Sequence, residues 1–99
     1  MVTADTATRI RAACAEVAEF LVAKNASYGD SALHPLRVFS RGDAVDSLAA
    51  RIDDKLARLK FAPDAYGEDT IKDLLGYLIL LRLALEDRAN AHSNPEDEQ

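Results

Sequence analysis

Ninety-nine residues, 48% hydrophobic and 6% aromatic with no tryptophan, suffice for one domain with a thin, aliphatic core. The net charge of −5 is concentrated at the end of the chain: Glu86 to Gln99 holds five acids and one arginine, so the remainder is about neutral. That balance excludes the basic stripe of a nucleic-acid-binding surface, and the lone Cys14 excludes a disulfide framework or a cysteine-based zinc site within one chain.

His34 and His92 match no metal spacing. Met1 to Ala13 lacks the apolar core of a signal peptide, so the expected location is the cytosol. Arg37 to Lys60 carries six bases and four acids, a local excess suited to a phosphorylated small molecule.

The first predicted helix covers Thr3 to Lys24. Ile10, Cys14, Val17 and Leu21 recur at helical spacing, with Phe20 alongside. Cys14 lies within that stripe and reads as a core thiol. Glu16 and Glu19 form an E-x-x-E pair on another face. Such a pair is either a solvated surface or part of a divalent-cation site.

Asn25 to Gly42 is a long connection, stopped by Asn, Ser, Gly and Asp and held off the helix by Pro35. It carries Tyr28, Leu33, Leu36, Val38 and Phe39, too many apolar residues for a mere connector. The expectation is an ordered loop with Tyr28 and Phe39 at least half buried. Its polar groups, Lys24, Asn25, Ser27, Arg37, Ser40 and Arg41, are available to a ligand.

Asp43 is an N-cap for a second helix, Ala44 to Phe61. Val45, Leu48, Ile52, Leu56 and Leu59 form its core stripe. Arg51, Asp54, Lys55 and Arg58 share an arc of about 100° beside that stripe. The arc is either a salt-bridged surface or a polar site. A short turn with Pro63 and Gly67 returns the chain antiparallel.

The third helix, Glu68 to Leu85, organises the rest. From Ile71 onward it is apolar nearly all round, so it should be central and covered on several sides. It is too short and too interrupted, by Gly76 and Arg82, to span a membrane. Asp69, Asp73 and Tyr77 share one face, with Gly76 leaving room beside them. Glu68 is placed to pair with Lys72 one turn on. Leu78, Leu81 and Leu85 cannot all face one thin three-helix core, so self-association is expected. Residues 1–88 thus read as one all-α antiparallel bundle of three helices completed by oligomerisation. Residues 89–99 read as a disordered acidic tail.

The segments KNASYGDSALHPLRVFS, RIDDKLARL and EDTIKDLLGYLILL together resemble small phage and bacterial MazG-like nucleotide pyrophosphohydrolases and the nucleotide-modification-associated helical domain. The resemblance covers about Lys24 to Leu85, and the combination of motifs is more specific than any one of them. It implies a homodimer or homotetramer that hydrolyses (deoxy)nucleoside triphosphates to monophosphate and pyrophosphate with Mg²⁺ or Mn²⁺. Family members hold the metal on an E-x-x-E and an E-x-x-D. Here Asp73 matches the final acid, Thr70 stands in the glutamate's place, and Asp69 lies one position earlier. Asp54 matches one acid of the preceding helix, while Lys55 and Arg58 follow where a second is expected.

On that reading Asp54, Asp69 and Asp73, with Glu16 or Glu19, are the metal ligands. Lys24, Arg51, Lys55 and Arg58 neutralise phosphate charge, and Tyr28 or Tyr77 meets the base or sugar. The acids and cations should then converge across the second and third helices. Two other classes stay open: a nucleotide- or partner-binding module whose cations simply pair with its acids, and a purely structural helical dimer with a salt-bridged seam.

Overall fold

The computed structural model describes residues 5–35, 42–62 and 68–93, the last without the side chains of 68, 69, 92 and 93. Three helices account for nearly all of it: α1 (Thr6–Ser27), α2 (Ala44–Phe61) and α3 (Glu68–Ser93). There is no strand among the described residues, so the all-α class holds.

Local signals set the helix starts. Asp5 accepts from the Thr8 amide at 2.7 Å and Asp43 from the Asp46 amide at 2.9 Å, each satisfying a first-turn N–H that has no partner inside its helix. The Asp5 hydrogen bond holds that carboxyl below its ordinary range. Asp43 also accepts from Arg88 Nη2 at 2.7 Å, which ties the end of α3 to the start of α2. The amide of Asp46, and then Arg88, pull the Asp43 pKa down to about 2. A depressed carboxylate stabilises the fold above its unfolded pKa and loses that contribution as pH falls through its folded one. The stability gap between wild type and Asp43→Ala should therefore be full above about pH 4 and closed near pH 2. Thermal melts across that range read it directly.

At the other end of α1, Asn25, Ala26 and Ser27 stay helical, and the helix stops at the left-handed pair Gly29 and Asp30, both at φ 63°. Glycine adopts that conformation without strain, whereas Asp30 needs support. It receives that from Asn25 Nδ2, which donates to its carboxylate at 3.0 Å, and from His34 Nε2 at 3.3 Å. Tyr28 thus sits at the helix terminus and is 63% exposed, which corrects the expectation of a half-buried ring. Phe39 lies outside the described residues.

The third helix is central: α3 packs against both α1 and α2, which do not meet each other. Two pairs show that α2 and α3 run antiparallel: Lys55 with Asp73 at one end, Asp43 with Arg88 at the other. Leu48, Leu80 and Ala84 form the core, with Leu21, Leu33, Val45, Tyr77 and Leu81 packed on it. Gly76 permits the α1 approach, since a Cβ there would lie 3.2 Å from Leu21 Cδ1.

This core is as thin as the composition implies. Of the stripe on α1 only Val17 is buried; Ile10 is 58% exposed and Cys14 is exposed, so the core-thiol reading does not hold in the single chain. The physical reason is that residues 5–16 are all exposed among the described residues, with only the Glu16–Lys72 ion pair tying that half of α1 to α3. On α3, Leu81 packs on the core while Leu78 and Leu85 are each 45% exposed, so one core does not hold all three. The helix also continues through Ser93, past Arg88, where the sequence places the start of the tail. No helix among the described residues is long and apolar enough to cross a membrane.

Candidate functional site

Because α1 and α2 both lean on α3 without meeting, a cleft of about 510 Å³ opens between them. That is the size of an ordinary small-molecule site. The last turns of α1 supply Phe20, Lys24 and Tyr28 to its wall, α2 supplies Ser47, Leu48 and Arg51, and the floor is Asp73, Gly76, Tyr77 and Leu80 of α3. The spacing explains each set. Phe20, Lys24 and Tyr28 recur every fourth residue, as do Ser47 and Arg51. Asp73, Gly76, Tyr77 and Leu80 follow the i, i+3, i+4, i+7 rule for one helix face.

The polar centre is Asp73. Lys24 Nζ lies 3.4 Å from one of its oxygens and Lys55 Nζ 3.2 Å from the other. All three are partly buried, at 33%, 13% and 23% side-chain exposure for Lys24, Lys55 and Asp73. In that setting an ion pair is screened less than at the surface. Lys24 Nζ also sits 5.3 Å from the Phe20 ring centroid and 5.8 Å from that of Tyr77, within cation–π range. Arg51 lines the same cleft, is exposed, and makes no ion pair among the described residues.

Lys24, Tyr28, Arg51, Tyr77 and Asp73, all picked from the sequence, therefore meet in one cleft, and Lys55 joins them through Asp73. The structure keeps Asp54, Arg58, Glu16 and Glu19 away from it. Asp54 and Arg58 pair with each other at 3.8 Å on an exposed face, at 68% and 57% exposure. On α2 the core direction is set by Leu48, Ile52 and Leu59. Lys55 lies about 40° from it and Asp54 about 140° away, so one arc is split between interior and solvent. Glu16 pairs with Lys72 at 3.0 Å, bridging α1 and α3, and Glu19 is exposed. The side chains of Asp69 and Glu68 lie outside those described.

Among the described residues no three His, Cys, Asp or Glu side chains gather to hold a metal ion. Asp73 is the one acid on the cleft among the described residues, and lysines occupy both its oxygens. These residues do not fit a pre-formed metal centre.

Phe20 and Ser47 were missed as wall residues. The available signal was their position one turn before Lys24 and Arg51, on the same faces. In comparisons with protein-family models, with curated proteins and with solved structures, nothing matches this chain.

Proposed function

We propose that this protein binds a nucleotide in the cleft between α1 and α2. One observation carries the reading. Among the described residues, two cations, Lys24 and Arg51, and two tyrosines, Tyr28 and Tyr77, line one concave site around a single carboxylate, Asp73, which Lys55 holds from α2. A ligand that satisfies both halves needs an anionic group and a flat π-face. The cations take the phosphate through charge-assisted hydrogen bonds. Tyr28, open to solvent, offers its face to the base.

The reaction proposed at this site is hydrolysis of a (deoxy)nucleoside triphosphate to monophosphate and pyrophosphate, with Mg²⁺ or Mn²⁺ as cofactor. It rests on the resemblance of the three motifs and on Asp73, the matching acid, facing the cleft. Binding without turnover is favoured by a different observation: Asp73 already has two lysine partners. Incubation with each NTP and dNTP, with Mg²⁺ or Mn²⁺, separates the two. The hydrolase yields monophosphate and pyrophosphate in equal amounts. The binding module yields neither but still shifts its tyrosine fluorescence. No shift and no product with any nucleotide would sink both.

The protein is proposed to work as a homodimer or larger homo-oligomer in the cytoplasm. Ile71, Leu75, Leu78 and Leu85, each 39–45% exposed, fall on the side of α3 away from α1 and α2. A stripe of that kind is ordinarily covered. Light scattering at micromolar concentration should give at least twice the 10.8 kDa chain mass, and a monodisperse monomer would contradict the proposal.

A further inference from the structure

Asp73 meets the cleft in a way that a metal ligand does not. Each of its oxygens is taken by a different lysine, one from α1 and one from α2. Among the described residues, a small charge cluster from all three helices therefore stands at the cleft: Lys24 and Arg51 on its wall, and Lys55 reaching it through Asp73. Three positive charges and one negative leave an excess of two. That excess equals the charge of one ionised phosphoryl group at neutral pH, which is close to two negative charges. It does not equal the larger charge of a triphosphate, which needs a divalent cation to be neutralised there.

We infer that this cleft takes a phosphoryl dianion, presented by a nucleoside monophosphate, directly on Lys24 and Arg51 without a metal, with Lys55 holding Asp73 behind them, and that Asp73 is the counter-ion the phosphate competes with. The inference rests on the nucleotide reading above and adds the ligand class and the role of Asp73.

The geometry suits such competition. Lys24 is one-third exposed, so its ammonium reaches a ligand in the cleft, and its bond to Asp73, at 3.4 Å, is the longer of the two. Lys55, at 13% exposure, is the more enclosed and holds Asp73 from behind. Arg51 has no partner among the described residues to give up, so its fork is free to bind two phosphate oxygens. An arriving phosphate shares Lys24 with Asp73 and gains Arg51 outright. The negative charge of Asp73 opposes it throughout. Empty, the cleft needs that charge to keep two partly buried ammonium groups together; filled, the phosphate takes over the task.

The consequence is opposite in sign to that of a metal ligand. Isothermal titration calorimetry of the wild-type chain with nucleoside monophosphates and triphosphates, each in EDTA and again in Mg²⁺, is the first arm. Monophosphate should bind in EDTA with an affinity that Mg²⁺ leaves within about twofold, and triphosphate should gain from Mg²⁺. The second arm repeats the EDTA titration with Asp73→Asn and with Lys24→Met. Removing the competing charge should tighten monophosphate binding about tenfold, and removing the lysine should weaken it by a similar factor. Circular dichroism and melts check both variants. If Asp73→Asn does not fold, the wild-type comparison decides alone. Monophosphate binding that requires Mg²⁺, or an Asp73→Asn variant that folds and binds more weakly, overturns the inference and leaves nucleotide binding standing. A wild-type chain that binds no nucleotide in either buffer overturns both.

Discussion

Replacing Arg51 with methionine is expected to weaken nucleotide binding by about 10- to 100-fold while changing stability by less than about 0.5 kcal/mol. The two effects separate because of where the side chain stands. Arg51 is exposed and makes no ion pair among the described residues, so the fold loses little when its charge goes. Its place on the cleft wall matters only when an anion is bound. A hydrogen bond to a charged group contributes about 1.5–3 kcal/mol, which is the stated range of affinity. Methionine keeps the length and apolar stem, so lost packing does not blur the result. Titration calorimetry with the best-binding nucleotide, beside a thermal melt, reads both quantities. Unchanged affinity would remove Arg51 from the site. A large fall in melting temperature would show that it supports the fold.

The largest effect on stability is expected at Leu48. Truncation to alanine should cost about 3 kcal/mol, within the range for buried leucines whose surroundings relax incompletely. Leu48 is 1% exposed and is the most enclosed large side chain among the described residues. It packs with Leu80 and Ala84 at the heart of the contact between α2 and α3. Few others share the load: among the described residues, Val17, Ile52, Leu80 and Ala84 are the remaining buried apolar positions. In a domain of this size such a loss lowers the melting temperature on the order of 15 °C. Leu48 also lines the cleft, so ligand affinity should fall with it. Leu56→Ala is the control, since that residue is 50% exposed in spite of its place in the same heptad pattern. Equal losses at the two positions would mean that a partner chain covers Leu56.

Much of the fold was legible in the residues alone. The bounds of α2, its Asp43 cap and the start of α3 at Glu68 follow from capping chemistry and apolar spacing, which act within one or two turns. The central place of α3 follows from its lack of a polar side. α1 begins at Thr6, behind its Asp5 cap, rather than at Thr3, and two helices, α1 to Ser27 and α3 to Ser93, extend beyond the expected stop. Adding one more residue to a formed helix costs little, so a single Asn does not end it.

The cleft was legible as a list of residue types but not as an arrangement. Periodicity gives the angles of side chains around one helix axis; it does not give the direction or distance of a neighbouring helix. Hence Arg51, Asp54, Lys55 and Arg58 were one set in the sequence. Packing against Leu80 and Ala84 turned Lys55 toward Asp73 and left Asp54 and Arg58 in water. The bond from Lys24 to Asp73 joins positions 49 apart in the chain, and no local rule couples them. The exposure of Cys14 has the same origin: α1 has a core stripe, but none of the described residues buries its first half. Sequence determined which faces want burial or charge. The helix-to-helix contacts decided which of them meet.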